Sequence, residues 1–419
     1  MAGKRSLIIG TSLGIILIGT LSLFRGYEST WRLWNIPTMT PCFADAHDIT
    51  SGAESKALGY DPYIYNPRDP WGRIQNYPRI WHMLYMVGIN QSHTVYFGVT
   101  LAVLFVIALF LYPPSSIDNV TALILIASIF SPAVLLGVER GNIDLLMFFL
   151  LSVAIFIMNR GGTASRVLAT ASVLVAFILK LFPIFGIGLI LGQKKRIAIR
   201  IGLFVVIFAI IYTIITYSDL ILIRQITPKS TDLSYGANVL WMRVGIHSLM
   251  WAKIIRLISY GAIFVCFIVA LYGICSQKFG NTENGNSDQR FIDAFRVGSG
   301  IYIGTFLLGN NWDYRLVFLL FVIPQLTLWS RSCSNHLSII SRLTVVAILI
   351  SLWHLVIYPI SVIPLGRTGG FFLDAFSSWV IFCGLLFLFS CSAPTWIKDT
   401  AIKFCSLPYG WGIQKKPLK

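Results

Sequence analysis

Charged residues are scarce in this sequence, since Asp, Glu, Lys and Arg together make up 12% of its 419 residues. Ordinary soluble domains carry roughly twice that share, ~25%. The hydrophobic fraction is 56% and the mean hydropathy is +0.74, values that exclude a typical soluble globular chain. The composition indicates a protein whose main solvent is the lipid bilayer.

Several short motifs of enzymes and transporters are missing as well. The sequence has no CxxC, no His/Cys cluster of zinc spacing, no P-loop and no GxSxG, which excludes the enzyme and transporter classes that carry them. No internal repeat is visible, which counts against an inverted-repeat transporter. Of the seven cysteines, only Cys42 is predicted to face the outside, so no intramolecular disulfide is expected there.

Long apolar runs dominate what is present. Ten of them have membrane length, because about 20 helical residues match a hydrocarbon core about 30 Å thick. None alternates as a membrane barrel strand would, so the runs are predicted to be helices. They lie near 6–24, 93–112, 119–138, 143–158, 201–217, 254–275, 294–309, 314–329, 341–361 and 373–392.

One further apolar region, 166–192, is interrupted by the motif Lys180-Leu-Phe-Pro183. Proline breaks helical hydrogen bonding and disfavours helix at the residue before it. We therefore expect two short helices that form a broken helical hairpin over 166–192. The predicted fold class is an all-α polytopic membrane protein of about twelve membrane segments, forming a single membrane domain over 1–419.

The orientation of the chain follows from its basic residues, which stay cytoplasmic when they lie in short loops. This rule places both termini inside, including the basic tail 393–419, and the loop 25–92 outside. The first run is interpreted as a retained anchor because no small-residue cleavage site follows it. The net charge of +16 then mainly reflects the basic residues of the cytoplasmic loops and tail. Nucleic-acid binding is excluded, since the sequence has no stripe of basic residues on a fold that recognises nucleic-acid bases.

The loop between the first two runs is rich in acidic and aromatic residues from Thr40 to Asn90. It is too polar to cross a bilayer and too patterned for a linker. A large first loop that carries carboxylates predicts a membrane enzyme with its chemistry in this loop. The five carboxylates are Asp45, Asp48, Glu54, Asp61 and Asp69.

Ionisable residues beside the apolar runs are the next candidates, because a charge at a helix centre costs roughly 2.5–3.5 kcal/mol. Four places have such residues: 139–144, Lys180, 310–315 and His354. The predicted topology brings the first three to one face of the membrane.

Each place also has a purely structural interpretation. Glu139 and Arg140 can form a local ion pair in a solvated turn, and Lys180 can snorkel to the interface. Asp313 and Arg315 can pair with each other. His354 can be a satisfied interior histidine, and the loop aromatics, Tyr60 among them, can form an interfacial belt as well as a platform for a sugar.

A family resemblance emerges from these segments taken in order. Four segments follow one another along the chain: FADAHDIT, GYDPY, ERGNIDLLMFFL and AFILKLFP, the last of which precedes a basic cluster. Together they resemble glycosyltransferase family 87. These are polyprenol-phosphate-mannose-dependent mannosyltransferase-like proteins with the C-type glycosyltransferase (GT-C) membrane fold. The resemblance covers about residues 1–330. The family often has Asn three positions after the glycine matching Gly141, where this chain has Asp144.

The resemblance implies a set of site residues. The family's essential carboxylate is an aspartate of the first extracytoplasmic loop, and Asp45 matches it best. Asp48, which a helix would place on the same face, remains the alternative. Lys180 and Arg315, with Arg140 in reserve, would hold the donor phosphate. The other candidates for substrate binding are Asn142, Asp144, Asp313, His354, Tyr60 and Asp61.

The reaction implied is transfer of a hexose, mannose by the family name, from a polyprenyl-phosphate sugar to a lipid or glycan acceptor. An aspartate base and preorganised cations would support one inverting attack at the outer face of the plasma membrane. No cofactor is required, although a divalent metal between Asp45 and Asp48 stays an alternative. Acceptor recognition is expected in 66–81 and 218–253.

Other functional classes fit part of the pattern. A transporter or flippase of lipid-linked sugars would also contain buried charges and a broken helix, but near the middle of the bilayer. A polysaccharide polymerase or ligase uses similar donors, yet its large outer loop usually comes late in the chain. A non-catalytic scaffold would not account for Lys180 beside an apolar break.

Overall fold

A computed structural model describes residues 2–113, 116–275, 289–332, 335–357 and 364–405, and this part of the chain is almost entirely helical. The first nine α-helices are α1 (Ala2–Arg25), α2 (Tyr27–Arg32), α3 (Ala44–Ala57), α4 (Thr94–Leu111), α5 (Asn119–Ile129), α6 (Pro132–Arg140), α7 (Asp144–Met158), α8 (Gly162–Leu179) and α9 (Lys195–Ile215). The others are α10 (Tyr217–Ile226), α11 (Val239–Gly245), α12 (Leu249–Cys275), α13 (Gln289–Leu308), α14 (Ile323–Ser332), α15 (Asn335–Ile357), α16 (Pro364–Cys391) and α17 (Thr395–Cys405).

Shorter elements complete the fold. The 3-10 helices are Arg79–Val87, Gln91–His93, Phe182–Gly192 and Asp313–Phe321. Two short strands, β1 (Ser234–Tyr235) and β2 (Asn311–Trp312), pair antiparallel with Ser234 opposite Trp312. This small ladder joins the segment before α11 to the segment after α13.

Membrane-length helices confirm that this is an all-α, multi-pass membrane protein. Among the described residues, eight helices are long and apolar enough to cross a bilayer, or nine if α5 and α6, which meet at 49°, form one bent span. Two shorter apolar helices are α7 and Phe182–Gly192. The expected number of twelve segments stays a prediction, and residues 406–419 of the basic tail lie outside the described residues.

The apolar region 166–192 is interrupted at Lys180. Helix α8 ends at Leu179, and Lys180 is extended with φ −162° and ψ 109°. The chain continues as the 3-10 helix Phe182–Gly192, whose second residue, Pro183, has no amide hydrogen to donate. The Arg166 Nε donates to Gln193 Oε1 at 3.0 Å, so the chain turns back between these two residues.

The interior of the bundle is built around α13. Small residues on this helix allow close contact with its neighbours. A Cβ added to Gly300 would lie 2.3 Å from the backbone oxygen of Phe185, and one added to Gly298 would lie 2.7 Å from that of Phe318. The 3-10 helices Phe182–Gly192 and Asp313–Phe321 can therefore pack directly on α13. The first begins two residues after Lys180, and the second begins at Asp313.

The loop between α1 and α4 is ordered by its own contacts. Helix α3 lies at its centre, with the Ser55 hydroxyl donating to Asn66 Oδ1 at 2.7 Å. The Tyr63 hydroxyl donates to the carbonyl oxygen of Tyr77 at 2.7 Å. Because these polar groups are paired within the loop, α3 has a defined position at the end of the helix bundle.

The packing of α13 yields a prediction for Gly300→Ala. The added methyl group meets the Phe185 carbonyl, so we expect a loss of about 1–3 kcal/mol, as for other overpacked sites. Melting of the detergent-solubilised protein, followed by size-exclusion chromatography, measures this. Gly261→Ala in α12 is the matched control, because a Cβ there meets none of the described atoms within 4 Å. Equal melting temperatures for the two variants would contradict the packing described.

Candidate active site

A cavity of about 840 Å³ opens at the end of the bundle where the loop between α1 and α4 lies. Its volume falls in the range typical of small-molecule sites, ~300–1,000 Å³. The chain reaches its wall in six separate regions, 39–48, 73–78, 136–140, 180–182, 223–238 and 308–315. The charged and aromatic side chains of the wall are Asp45, Asp48, Arg73, Tyr77, Arg140, Lys180, Phe182, Arg224, Lys229, Trp312, Tyr314 and Arg315.

Asp45 and Asp48 both line the cavity from α3. Asp45 is partly exposed and lies in the first turn of the helix, where the helix dipole favours a negative charge. Its Oδ2 accepts a hydrogen bond from Asn142 Nδ2 at 2.5 Å. This carboxylate is accessible from the cavity and held by a fixed donor, which are the properties required of a general base.

Asp48 lies one helical turn further along, and only 5% of it is exposed. One of its oxygens, Oδ1, is buried and has no hydrogen-bond partner within the described part of the chain. Burial raises the pKa of the Asp48 carboxyl from 3.8 to about 8, although Arg73 opposes this shift. Burial therefore favours the protonated, neutral form of Asp48.

Asn142 connects the carboxylate to the cations of the site. It is fully buried, so it lies behind the cavity wall instead of facing a substrate. Its Nδ2 donates to Asp45, while its Oδ1 accepts from Lys180 Nζ at 3.2 Å and from the Asp144 amide at 2.8 Å. Only the amide NH₂ can donate to a carboxylate, which defines the orientation of the side chain.

Lys180 and Arg315 share one buried carboxylate, that of Asp144. The Lys180 Nζ lies 2.6 Å from Asp144 Oδ1, and the Arg315 Nε lies 3.3 Å from Oδ2. Asp144 is 1% exposed, so its charge requires these partners. The three groups together carry one net positive charge, which both cations present at the cavity wall.

Arg140 also lines the cavity. Its Nε lies 3.2 Å from Glu139 Oε2, the local ion pair considered from the sequence, and its Nη2 donates to the carbonyl oxygen of Pro37 at 3.0 Å. The turn that follows contains Gly141 with φ 57°, where a Cβ would lie 3.0 Å from that of Phe43. Glycine is required here, because the turn packs tightly against the start of α3.

Four of the residues expected at the site lie elsewhere. Asp313 and His354 are buried inside the bundle, with His354 Nε2 3.3 Å from Asp313 Oδ2. The suggested pair of Asp313 with Arg315 is therefore wrong. The two residues are two positions apart in a 3-10 helix and point in different directions.

The other two belong to the outer part of the loop. Tyr60 packs edge to face against Tyr65, with ring centroids 5.5 Å apart. Asp61 pairs with Arg79 Nη1 at 3.1 Å. Neither side chain lines the cavity. The acidic and aromatic residues of the loop therefore include some that stabilise the loop and others that face the site.

Several wall residues were not identified individually from the sequence. Arg73 Nη2 contacts Asp69 Oδ2 at 2.8 Å and donates to the Ala44 carbonyl at 2.6 Å, supporting the start of α3. In the sequence, the position of Arg73 four residues after Asp69 is the feature that indicates this ion pair. Arg224 and Lys229 belong to the region 218–253, which was expected to lie over the site, but isolated cations after an apolar run are common in membrane proteins.

The described residues contain no cluster of three or more His, Cys, Asp or Glu side chains arranged to hold a metal ion. Asp45 and Asp48 are two carboxylates, so a divalent ion between them would need further ligands from water or substrate. Comparison of the chain with protein-family models, with curated proteins and with solved structures finds no match. Function is therefore inferred from the cavity and its side chains.

The raised pKa of Asp48 generates a prediction about stability. Between 3.8 and about 8, the folded state retains a proton that the unfolded state releases, so stability falls as the pH rises through this window. Asp48→Asn cannot ionise and removes this contribution, which is of the order of a few kcal/mol. Melting at pH 5 and pH 9 should show a larger loss for the wild type than for the variant. Parallel losses in the two proteins would rule out a buried, protonated Asp48; Glu28→Gln, at an exposed ion pair, is the control.

Proposed function

We propose that the protein is a membrane glycosyltransferase that moves a hexose from a polyprenyl-phosphate sugar to a lipid or glycan acceptor. The observation that carries this proposal is the wall of one cavity, which is lined by the partly exposed carboxylate of Asp45 and by the cations Lys180 and Arg315. The resemblance to glycosyltransferase family 87, with its GT-C fold, suggests mannose as the sugar. The apolar runs and the basic residues of the short loops suggest twelve membrane segments and a site at the outer face of the plasma membrane.

Asp45 acts as the general base in this proposal. The acceptor hydroxyl oxygen attacks the anomeric carbon as its proton passes to an Asp45 carboxylate oxygen. The bond between the anomeric carbon and the phosphate oxygen breaks, and polyprenyl phosphate leaves with the bonding electrons. A single displacement of this kind inverts the anomeric centre. Asn142 holds Asp45 by its Oδ2, leaving Oδ1 for the acceptor proton.

Lys180 and Arg315 stabilise the departing phosphate. The donor is a phosphodiester with one negative charge, and the departing monoester gains a second charge as the bond breaks. Cations that are already in place when this charge develops lower the barrier, because they need no reorganisation. Asp144 holds both of them from behind, at 2.6 and 3.3 Å.

Replacement of the base tests the enzyme class. Asp45→Asn should lower transfer by about 10²–10⁴-fold, the usual contribution of a positioned base. Asp48→Asn should retain transfer within a few fold, because the amide resembles the protonated acid. Radiolabelled polyprenyl-phosphate mannose and polyprenyl-phosphate glucose, incubated with membranes that contain each variant, provide the measurement. Normal transfer by Asp45→Asn would exclude Asp45 as the base. If the wild type transfers neither label, the glycosyltransferase proposal fails and the alternative function, a flippase of lipid-linked sugars, is tested next.

Removal of a cation tests how the leaving group is stabilised. Lys180→Met should lower kcat by about 10²–10³-fold, comparable to the loss of one preorganised donor in other enzymes. The stability of the variant must be measured alongside, since Asp144 keeps Arg315 as a partner. Arg32→Gln removes a cation from an exposed ion pair outside the cavity and serves as the control. An unchanged kcat in Lys180→Met would refute this role.

A further inference from the structure

The cationic side chains that line the cavity fall into two groups. Four of the six have a carboxylate partner within ion-pair distance, so their charge is partly neutralised before any ligand binds. These four pairs are Arg73–Asp69, Arg140–Glu139, Lys180–Asp144 and Arg315–Asp144. The remaining two cations, Arg224 and Lys229, also line the cavity.

Arg224 and Lys229 have no ion-pair partner among the residues that the structure describes, and both are exposed. The nearest acidic residues in their own segment pair with other cations. Asp219 lies 2.8 Å from Arg79 Nε, and Asp232 lies 2.9 Å from Arg243 Nη1. Two positive charges five residues apart therefore face the cavity, and none of the described acidic residues forms an ion pair with either of them.

Arg224 lies beside apolar side chains, next to a helix of membrane length. Helix α10, which contains Arg224, follows directly on the membrane-length helix α9 and buries none of its residues. Ile223 and Ile226 line the cavity beside Arg224. Apolar side chains next to unpaired cations, at the end of a membrane helix, suit a lipid that carries an anionic head group.

We propose that Arg224 and Lys229 form a second phosphate subsite, which binds a phosphate carried by a lipid substrate. The inference rests on the proposed glycosyl transfer, in which Lys180 and Arg315 already hold the donor phosphate beside Asp45. The acceptor is then the lipid that supplies the second phosphate, and its hydroxyl reaches Asp45 from the other part of the cavity. A neutral sugar acceptor would leave both charges unmatched.

Binding measurements on the full-length protein in detergent test the subsite. The double variant Arg224→Gln/Lys229→Gln is compared with Lys253→Gln/Arg256→Gln, which removes the same charge from exposed positions of α12 outside the cavity. The probes are short-chain phosphatidylglycerol, short-chain phosphatidylcholine and, in an Asp45→Asn background that prevents turnover, polyprenyl-phosphate mannose and polyprenyl-phosphate glucose.

We expect the first double variant to bind phosphatidylglycerol about tenfold more weakly, as for loss of a charged hydrogen bond. Binding of the polyprenyl-phosphate sugars and of phosphatidylcholine should be unchanged, and the control variant should behave as the wild type. The difference should shrink as salt rises from 0.05 to 0.5 M, because exposed charges are screened.

The other outcomes separate the two proposals. If only the polyprenyl-phosphate sugars bind more weakly to the variant, the subsite holds the donor phosphate and the acceptor assignment is overturned. If no probe distinguishes the variant from the control, there is no second phosphate subsite. If the Asp45→Asn protein with Arg224 and Lys229 intact binds neither sugar donor, while phosphatidylglycerol still binds through Arg224 and Lys229, the glycosyltransferase proposal fails and the subsite stands.

Discussion

The ion triad of Lys180, Asp144 and Arg315 is the interaction on which the cavity depends. Asp144 is 1% exposed, and each of its oxygens contacts one cation. Removing one partner from a buried ion pair typically costs about 3–5 kcal/mol, because the other charge is left without compensation. Each cation can remain at the cavity wall because this carboxylate lies behind it. The three residues belong to three separate apolar segments, so the triad also determines how the ends of those segments meet.

The loop that contains Asp45 is joined to this triad through one amide. Asn142 donates to the Asp45 carboxylate and accepts from Lys180. Gly141 makes the contact possible, since any larger residue would collide with Phe43 at the start of α3. The candidate base and the candidate phosphate ligands are thus parts of one hydrogen-bonded network. A displacement of any member changes the position of the others, which is how such networks preorganise a site.

The end of the bundle at which Asp45, Lys180 and Arg315 lie could be predicted from the sequence, because each crossing of the bilayer reverses the direction of the chain. The partners of individual side chains could not. Proximity in sequence suggested that Asp313 pairs with Arg315, yet local 3-10 geometry directs Asp313 to His354. The bridging role of Asn142 depends on a tertiary contact with α3, and no local pattern encodes it.

Burial divides the roles of two carboxylates on one helix. Asp45, in the first turn of α3, has the helix dipole and the Asn142 amide to stabilise its charge. Asp48 lies one turn deeper, where burial raises its pKa to about 8. Two ionised carboxylates at this spacing would repel each other. A neutral Asp48 avoids this repulsion, an arrangement by which a pair of acidic residues separates a base from a hydrogen-bond donor.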